Sequence, residues 1–205
     1  KPRLTVTKRI NRAGNFEIPL KIEFSIPKLL YGNNFDELTD ADFPAVIQKL
    51  KTVLKEMGVY LFERNLINAP VSSVHYSKNI ALTDYTTPYT YLSQLTKLNI
   101  NKGLDTNRTD FRNEGHSFKY RANSFEIVFY DKIKDLQQAK ISEKRAEEKD
   151  NALQLNLFDL LTKQKPLEVL RVEIRLNRRQ KISQILKKID KEVEPTFINI
   201  FSQDT

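Results

Sequence analysis

The sequence has no cysteine and only five glycines, and each shortage removes a class of site. Without cysteine the chain forms neither a disulfide framework nor a cysteine-ligated zinc site, and we expect a reducing compartment such as the cytoplasm. The glycines form no phosphate-binding loop, so nucleotide binding through a glycine-rich motif is not expected. The two histidines, His75 and His116, lack the spacing of a paired-histidine metal motif. No nucleophile elbow marks a serine hydrolase.

Long apolar runs are also missing. No run approaches the roughly 18 residues that a membrane-spanning helix needs, and the N-terminus has no signal-peptide apolar segment. We therefore expect no membrane as partner. No small-molecule substrate is expected either. What the chain has is positive charge: 34 Lys and Arg against 26 Asp and Glu give a net charge of +8. Such an excess favours polyanions, nucleic acid first, although a solvated basic surface is as compatible with the composition.

Apolar periodicity in the first part of the chain predicts a strand followed by a helix. Apolar and polar residues alternate from Phe16 to Ile26, which predicts a half-buried strand, with Leu4–Thr7 as a hairpin partner across Asn11–Asn15. A capping-box pattern at Thr39 and Asp42 precedes apolar residues at helical spacing up to Met57, and Gly58 follows where a helix stops.

The rest of the chain alternates in the same way between predicted strands and helices. The predicted strands are Val71–Ile80, His116–Arg121, Ser124–Asp131 and Leu167–Leu176, the second and third forming a hairpin around Ala122–Asn123. The predicted helices are Pro88–Leu98, a charged and largely solvated stretch at 132–150, and a basic helix at 178–193. Together these elements predict one α+β domain over residues 1–205, an antiparallel sheet with helices packed on one face.

The chemistry-bearing residues are a tyrosine, carboxylates and arginines on strand faces. Tyr130 and Glu126 share a face, about 13 Å apart at the usual rise per residue. Glu173 lies on another strand between two arginines, and Glu23 lies on the polar face of the first strand. Carboxylates gathered on one face would suit Mg²⁺ or Mn²⁺, and a metal-bound phosphodiester beside a tyrosine would be open to attack. The alternatives are a structural tyrosine and a surface ion-pair ladder.

Four segments, in order, resemble the phage and plasmid replication initiators related to the filamentous-phage gene-two endonuclease. Ile22–Asn34 is similar to a family strand followed by Pro-Lys and a Gly-x-Asn turn. Val71–Ser77 stands at a strand that usually reads Ser-Arg-Ile-Asp, and Ser124–Leu136 carries Tyr-Asp-Lys before a polar helix. Leu167–Leu176 is similar to the family's Arg-Phe-Glu-x-Arg strand. The His-hydrophobic-His motif of broader rolling-circle nickases, the HUH endonucleases, is missing.

The resemblance implies an HUH-endonuclease-like fold and a metal-dependent nickase that starts rolling-circle replication through a 5′-phosphotyrosine. It implies Tyr130 as nucleophile, with Lys132 stabilising charge beside it. It implies Glu173 as metal ligand and His75 in place of the usual Asp, with Glu23 and Glu126 as weaker additions. Mg²⁺ or Mn²⁺ would be the cofactor, and the bacterial cytoplasm the compartment.

The implied partners are single-stranded or origin DNA, with a host helicase as a further candidate. Seven basic residues are expected to grip the DNA backbone: Arg171, Arg175, Arg178, Arg179, Lys181, Lys187 and Lys188. Tyr76, Phe118 and Tyr120 are candidates for base stacking, although the core is the favoured position for each. Two other functions stay open: a non-catalytic origin- or operator-binding protein, and a metal-dependent nuclease that uses water.

Overall fold

A computed structural model describes residues 1–11, 13–97, 105–112, 116–137, 168–189 and 193–201, of which 105–112 are described by their backbone. Contacts divide the chain into two compact units, one of Lys1–Ala69 with Thr196–Asp204 and one of Pro70–Pro195. The expectation of a single domain stays a prediction. Each unit mixes helices with antiparallel strands, which confirms the α+β class.

The first unit contains two short hairpin ladders and four helices among the residues described. Its strands are β1 (Arg3–Val6), β2 (Arg9–Ile10), β3 (Phe16–Glu17) and β4 (Leu20–Glu23). Its helices are α1 (Ile26–Tyr31), α2 (Phe43–Glu56), α3 (Glu63–Ile67) and α7 (Phe197–Phe201). The core consists of one face of α2 and a residue of α3: Ile47, Leu50, Leu54 and Leu66.

The capping box predicted before α2 is present. The Thr39 backbone N–H and hydroxyl donate to Asp42 Oδ2 at 2.7 and 2.8 Å, over a short 3₁₀ turn. The helix ends at Glu56, and Gly58 adopts a φ of +81°, a conformation that glycine tolerates best. The sequence prediction of this helix and both of its ends is confirmed.

The single strand predicted from Phe16 to Ile26 is wrong. The strand breaks at Ile18–Pro19, since a proline cannot donate a ladder hydrogen bond, and β3 pairs with β2 while β4 pairs with β1. Phe16 and Ile18 are 67% and 68% exposed rather than in the core. Ile26 begins a helix instead, because Pro27 in its first turn has a backbone preset for helix initiation.

The second unit is built on a five-stranded antiparallel sheet. Its strands are β5 (Val74–Leu82), β6 (Asp105–Arg112), β7 (Ser117–Arg121), β8 (Phe125–Asp131) and β9 (Glu168–Leu176), in the spatial order β5-β9-β8-β7-β6. Its helices are α4 (Pro88–Leu95), the helical residues 132–137 (α5) and α6 (Arg179–Lys188). Within the described ranges, no helix has the length and apolar character that crossing a bilayer requires.

Helix α4 covers one face of this sheet. Leu92 is fully buried against Phe118, Tyr120 and Leu170, with partly buried residues of β5 and β8 around it. Alternation along Leu167–Leu176 predicts Ile174 on the core side, opposite to Glu173 and Arg175. It is 41% exposed, because it lies four residues along β9 from the Leu170 that α4 covers. Phe118 and Tyr120 are 3% and 4% exposed and belong to this core, so the base-stacking role offered for them is wrong.

Several element boundaries differ from the predictions. Strand β5 runs over Val74–Leu82 instead of Val71–Ile80, and α4 ends at Leu95. Helix α6 ends at Lys188, and Val193 lies outside it in non-helical backbone, two residues before Pro195. The end predicted for α4 at Leu98 and the charged stretch beyond residue 137 lie outside the described residues.

The hairpin turn between β7 and β8 is displaced by one residue from its predicted position. Ala122 N donates to Phe125 O at 2.9 Å, so the two central residues are Asn123 and Ser124. Arg121 therefore lies opposite Glu126, and Ser117 lies opposite Tyr130.

Candidate active site

Strand register places the predicted polar residues of the second unit on one face of the sheet. Tyr130 of β8 lies directly opposite Arg171 of β9 on one side and opposite Ser117 of β7 on the other. Residues opposite each other in an antiparallel pair project from the same face. Glu126, Glu173 and His75 share this face through the pairs Glu126–Arg175 and His75–Arg175 and the alternation along β9. We call it the polar face.

Tyr130 is half-buried at the end of the polar face. Its ring lies 5.8 Å from Lys132 Nζ, and Lys132 is buried and forms an ion pair with Asp135 at 3.1 Å. Burial raises the pKa of the Tyr130 hydroxyl above its usual value, and the positive charges of Arg171 and Arg175 only partly offset this rise. The free hydroxyl is therefore protonated at neutral pH.

Tyr130 lines an open cleft that we call the tyrosine cleft. Its lining is predominantly polar and combines three basic side chains with two carboxylates: His116, Ser117, Lys119, Val128, Tyr130, Asp131, Lys134, Asp135 and Arg175. The cationic side chains give this cleft the charge that suits a phosphate group.

Arg171 is only 9% exposed and is held in place beside Tyr130. Its Nη1 donates to Asn79 Oδ1 at 3.1 Å and its Nη2 donates to Ser77 Oγ at 2.7 Å. Both acceptors are neutral side chains of β5. The hydrogen bonds fix the guanidinium orientation.

The remaining residues of the polar face form a chain of ion pairs across four strands. His75 Nδ1 lies 3.4 Å from Glu173 Oε1, and Arg175 Nη2 donates to Glu173 Oε2 at 3.1 Å. Arg175 Nη1 lies 3.6 Å from Glu126 Oε2, and Arg121 Nε lies 3.6 Å from Glu126 Oε1. Both carboxylates therefore have cationic or imidazole partners at each oxygen.

Glu173 has an unusually acidic carboxyl. Burial by itself would raise its pKa, but the hydrogen bonds from His75 and Arg175 outweigh burial and lower the pKa to about 2. The side chain is 11% exposed, so these partners replace most of its water. Glu173 is a fixed negative charge that orients Arg175, and a carboxyl this acidic is a poor base.

The four predicted metal ligands do not fit a cation site in this arrangement. Both Glu173 oxygens and both Glu126 oxygens are already engaged, and Glu23 belongs to the first unit, where it pairs with Lys21 at 2.7 Å and Arg3 at 3.6 Å. Across the described part of the chain, no three His, Cys, Asp or Glu side chains gather as metal ligands would. The metal assignment stays a prediction.

The predicted DNA-binding residues fall into two groups. Arg171 and Arg175 lie on the polar face, and the others lie on or just before α6. Of the latter, Arg179 donates to Glu194 at 2.8 Å and Lys181 lies 4.7 Å from the Phe125 ring centroid. Lys187 and Lys188 are exposed in the last turn, where positive charge also stabilises the helix dipole.

One cluster in the tyrosine cleft was missed at the sequence level. His116 Nδ1 lies 3.8 Å from Asp131 Oδ2, and Lys134 Nζ contacts His116 Nε2. Asp131 Oδ1 also accepts hydrogen bonds at 3.0 Å from the backbone N–H groups of Ile133 and Lys134, so it caps α5. The pairing of β7 with β8 could have revealed that His116 lies opposite Asp131. That pairing follows only if the hairpin turn is placed at Asn123–Ser124 and not at Ala122–Asn123.

Comparison with known proteins adds no relative: no family model, no curated protein and no solved structure matches the chain.

Proposed function

We propose that the chain is a replication initiator of the rolling-circle type, with an HUH-endonuclease-like fold, that nicks single-stranded or origin DNA in the bacterial cytoplasm. The observation that supports this proposal is the position of Tyr130, which lies in a cationic cleft directly opposite a fixed arginine. The ordered resemblance of four sequence segments to the family supplies the reaction. The antiparallel sheet with a helix on one face is compatible with the fold.

In the proposed reaction Tyr130 Oη attacks a backbone phosphorus atom. The new tyrosine O–P bond forms as the P–O3′ bond breaks, and the phenolic proton is transferred to the released 3′-oxygen. The products are a 5′-phosphotyrosine and a free 3′-OH primer, and the reverse reaction rejoins the strand. Because burial raises the pKa of the Tyr130 hydroxyl, Tyr130 enters the reaction in its protonated form.

Arg171 and Arg175 are the groups that would offset phosphate charge during this attack. Both have fixed guanidiniums, the first through Ser77 and Asn79 and the second through Glu173. A guanidinium suits a phosphate because it offers parallel N–H donors. The Mg²⁺ or Mn²⁺ implied by the resemblance would supply the same neutralisation when bound, but the carboxylates that would hold it are engaged with arginines and histidine.

The test is a covalent adduct with a pool of single-stranded oligonucleotides labelled at the 3′ end. Label on the 3′ end stays with the protein after cleavage, so a denaturing gel shows a labelled protein band. We expect wild type to form this band and Tyr130→Phe to lose it. Tyr76→Phe is the matched control, because Tyr76 lies on the opposite face of the same sheet. A band that persists in Tyr130→Phe would remove Tyr130 from the reaction. Parallel samples with Mn²⁺ and with EDTA measure the metal requirement.

A second candidate function is supported by the same burial. A tyrosine with a raised pKa and a carboxylate already paired with arginine also suit a DNA-binding protein that cuts nothing. In that case the polar face and α6 bind the backbone, and Tyr130 packs. Oligonucleotide binding by wild type without any adduct, with and without metal, would favour this candidate.

A further inference from the structure

The loop between β5 and α4 displays a tyrosine in a strained conformation. Tyr85 is fully exposed, at 103% of its reference area, and its φ is +62°. Among the described residues it is the one non-glycine with a positive φ. The left-handed region costs free energy for a side chain with a Cβ, and glycine or asparagine is the usual occupant. A bulky aromatic there, with no packing in return, indicates a role outside the fold.

Neighbouring side chains hold this loop in place. Asp84 Oδ1 accepts hydrogen bonds from the Thr86 backbone N–H at 3.2 Å and from the Thr86 hydroxyl. Asp84 Oδ2 accepts a hydrogen bond from the Tyr91 hydroxyl at 2.8 Å, which ties the loop to α4. The loop is therefore preorganised, and Tyr85 projects from a fixed base.

The Tyr85 loop lies at the same end of the sheet as the tyrosine cleft. Strand β5 ends at Leu82, which pairs with Glu168 at the start of β9, and β8 ends at Asp131, which pairs with Leu170. Tyr89, 48% exposed in the first turn of α4, has its ring centroid 5.8 Å from that of His116. His116 lines the cleft that contains Tyr130. Tyr89 therefore lies beside the tyrosine cleft, and Tyr85 lies four residues before it in the loop that precedes α4.

We propose that Tyr85, with Tyr89 beside it, stacks on unpaired bases of a nucleic acid strand whose phosphates lie in the tyrosine cleft. A single-stranded nucleic acid fits this surface because it offers both groups that the surface can bind. The aromatic rings can stack on its bases, and Lys119, Lys134 and Arg175 can bind its phosphates. Stacking accepts any base, because every base has a π face. The inference rests on the proposed partner, single-stranded DNA, and not on the nicking reaction.

The absence of tryptophan makes the test direct. Tyr85→Trp introduces the sole tryptophan of the chain, whose fluorescence is quenched when a base stacks on it. The probe is a single-stranded oligo-dT of 20 nucleotides in EDTA, against a duplex of the same length. We expect strong quenching by the single strand and little by the duplex. Tyr60→Trp is the matched control, since Tyr60 is 76% exposed but belongs to the first unit. Equal quenching at both positions would overturn the proposal.

Two further variants separate binding from folding. Tyr85→Ala should weaken oligo-dT binding by about 5- to 150-fold, the range measured for the loss of one stacked base. Tyr85→Gly should weaken binding as much and also raise the melting temperature, because glycine relieves the positive φ. Binding unchanged in both variants would refute the stacking role.

The stacking role of Tyr85 and the nicking role of Tyr130 can be tested independently. Tyr130→Phe should keep the Tyr85→Trp quenching even where it forms no adduct, since Tyr130 is not part of the stacking surface. Quenching without an adduct in wild type would support the stacking surface and the non-catalytic candidate together. An adduct without quenching would support nicking and overturn the stacking surface.

Discussion

At the scale of single residues, Glu173 shows how a buried carboxylate is tolerated on a sheet face. Its oxygens are shared between His75 and Arg175, and the side chain is only 11% exposed. A buried carboxylate without such partners would neutralise instead of ionising. The pairing therefore gives the polar face a permanent negative charge that fixes an arginine next to Tyr130's cleft.

This pairing predicts a pH-dependent contribution to stability. The pKa of Glu173 falls from 4.5 to about 2 on folding, so the stabilisation is complete above pH 4.5 and is lost as the pH falls towards 2. We expect Glu173→Gln to lose about 2 kcal/mol of unfolding free energy at pH 7, after allowance for solvent screening. Urea denaturation at pH 7 and at pH 3 measures it.

The matched control for this prediction is Glu56→Gln, because Glu56 is exposed in the last turn of α2. The stability difference between wild type and Glu173→Gln should narrow at the lower pH. A difference that stays constant, or one that the control variant reproduces, would show that the loss does not come from the ionised Glu173 carboxylate.

At the scale of elements, α4 is the helix whose packing supports both the sheet and the Tyr85 loop. Leu92 is fully buried against Phe118, Tyr120 and Leu170. Leu92→Ala should therefore cost about 2–5 kcal/mol of unfolding free energy, the range for a leucine removed from a packed core. Gln94→Ala on the exposed side of α4 should cost little. Thermal or urea unfolding of both variants gives the comparison, and equal losses would contradict this packing.

The sequence predicted helices and strands well where residues within the same element determine its bounds. The capping box, the apolar stripe of α2 and Gly58 act within one helix, so the sequence contains all the information. The strand predicted over Phe16–Ile26 failed because Pro19 divides it into two short strands and Pro27, the residue after it, lies in the first turn of a helix that begins at Ile26. A proline can end a strand even where apolar and polar residues alternate, because it has a fixed φ and no backbone N–H to donate.

The candidate site could be predicted only within a strand. Alternation correctly placed Tyr130 with Glu126, and Arg171 with Glu173, since each pair lies on one strand. Which residues face each other across strands depends on register, and moving a two-residue turn by one position shifts the pairing by two. The predicted turn at Ala122–Asn123 would place His116 opposite Phe129, whereas the observed turn places it opposite Asp131. The sequence prediction therefore did not bring His116 and Asp131 together.

At the scale of the whole molecule, the net charge of +8 predicts salt-dependent binding to DNA but not where the DNA lies. Two surfaces are candidates for the DNA-binding surface. One is the polar face with the tyrosine cleft, and the other is the basic helix α6. Each phosphate that a protein contacts releases counterions, so the slope of log affinity against log salt counts contacts. Removing a charge that does not contact the DNA can lower the affinity, but it leaves the number of phosphate contacts and therefore the slope unchanged.

The final prediction uses this difference to locate the DNA. The double variant Lys187→Gln with Lys188→Gln removes two exposed charges from α6, and Lys49→Gln with Lys55→Gln removes two from α2 in the first unit. If α6 contacts the backbone as the sequence predicts, the first variant should reduce the single-strand slope by about 1.4, at about 0.7 for each phosphate. The second should leave the slope unchanged, although both lower the net charge equally. Fluorescence anisotropy of a labelled oligo-dT at several salt concentrations measures the slopes. Equal slopes in the two variants would remove α6 from the DNA interface and leave the cationic tyrosine cleft as the binding surface.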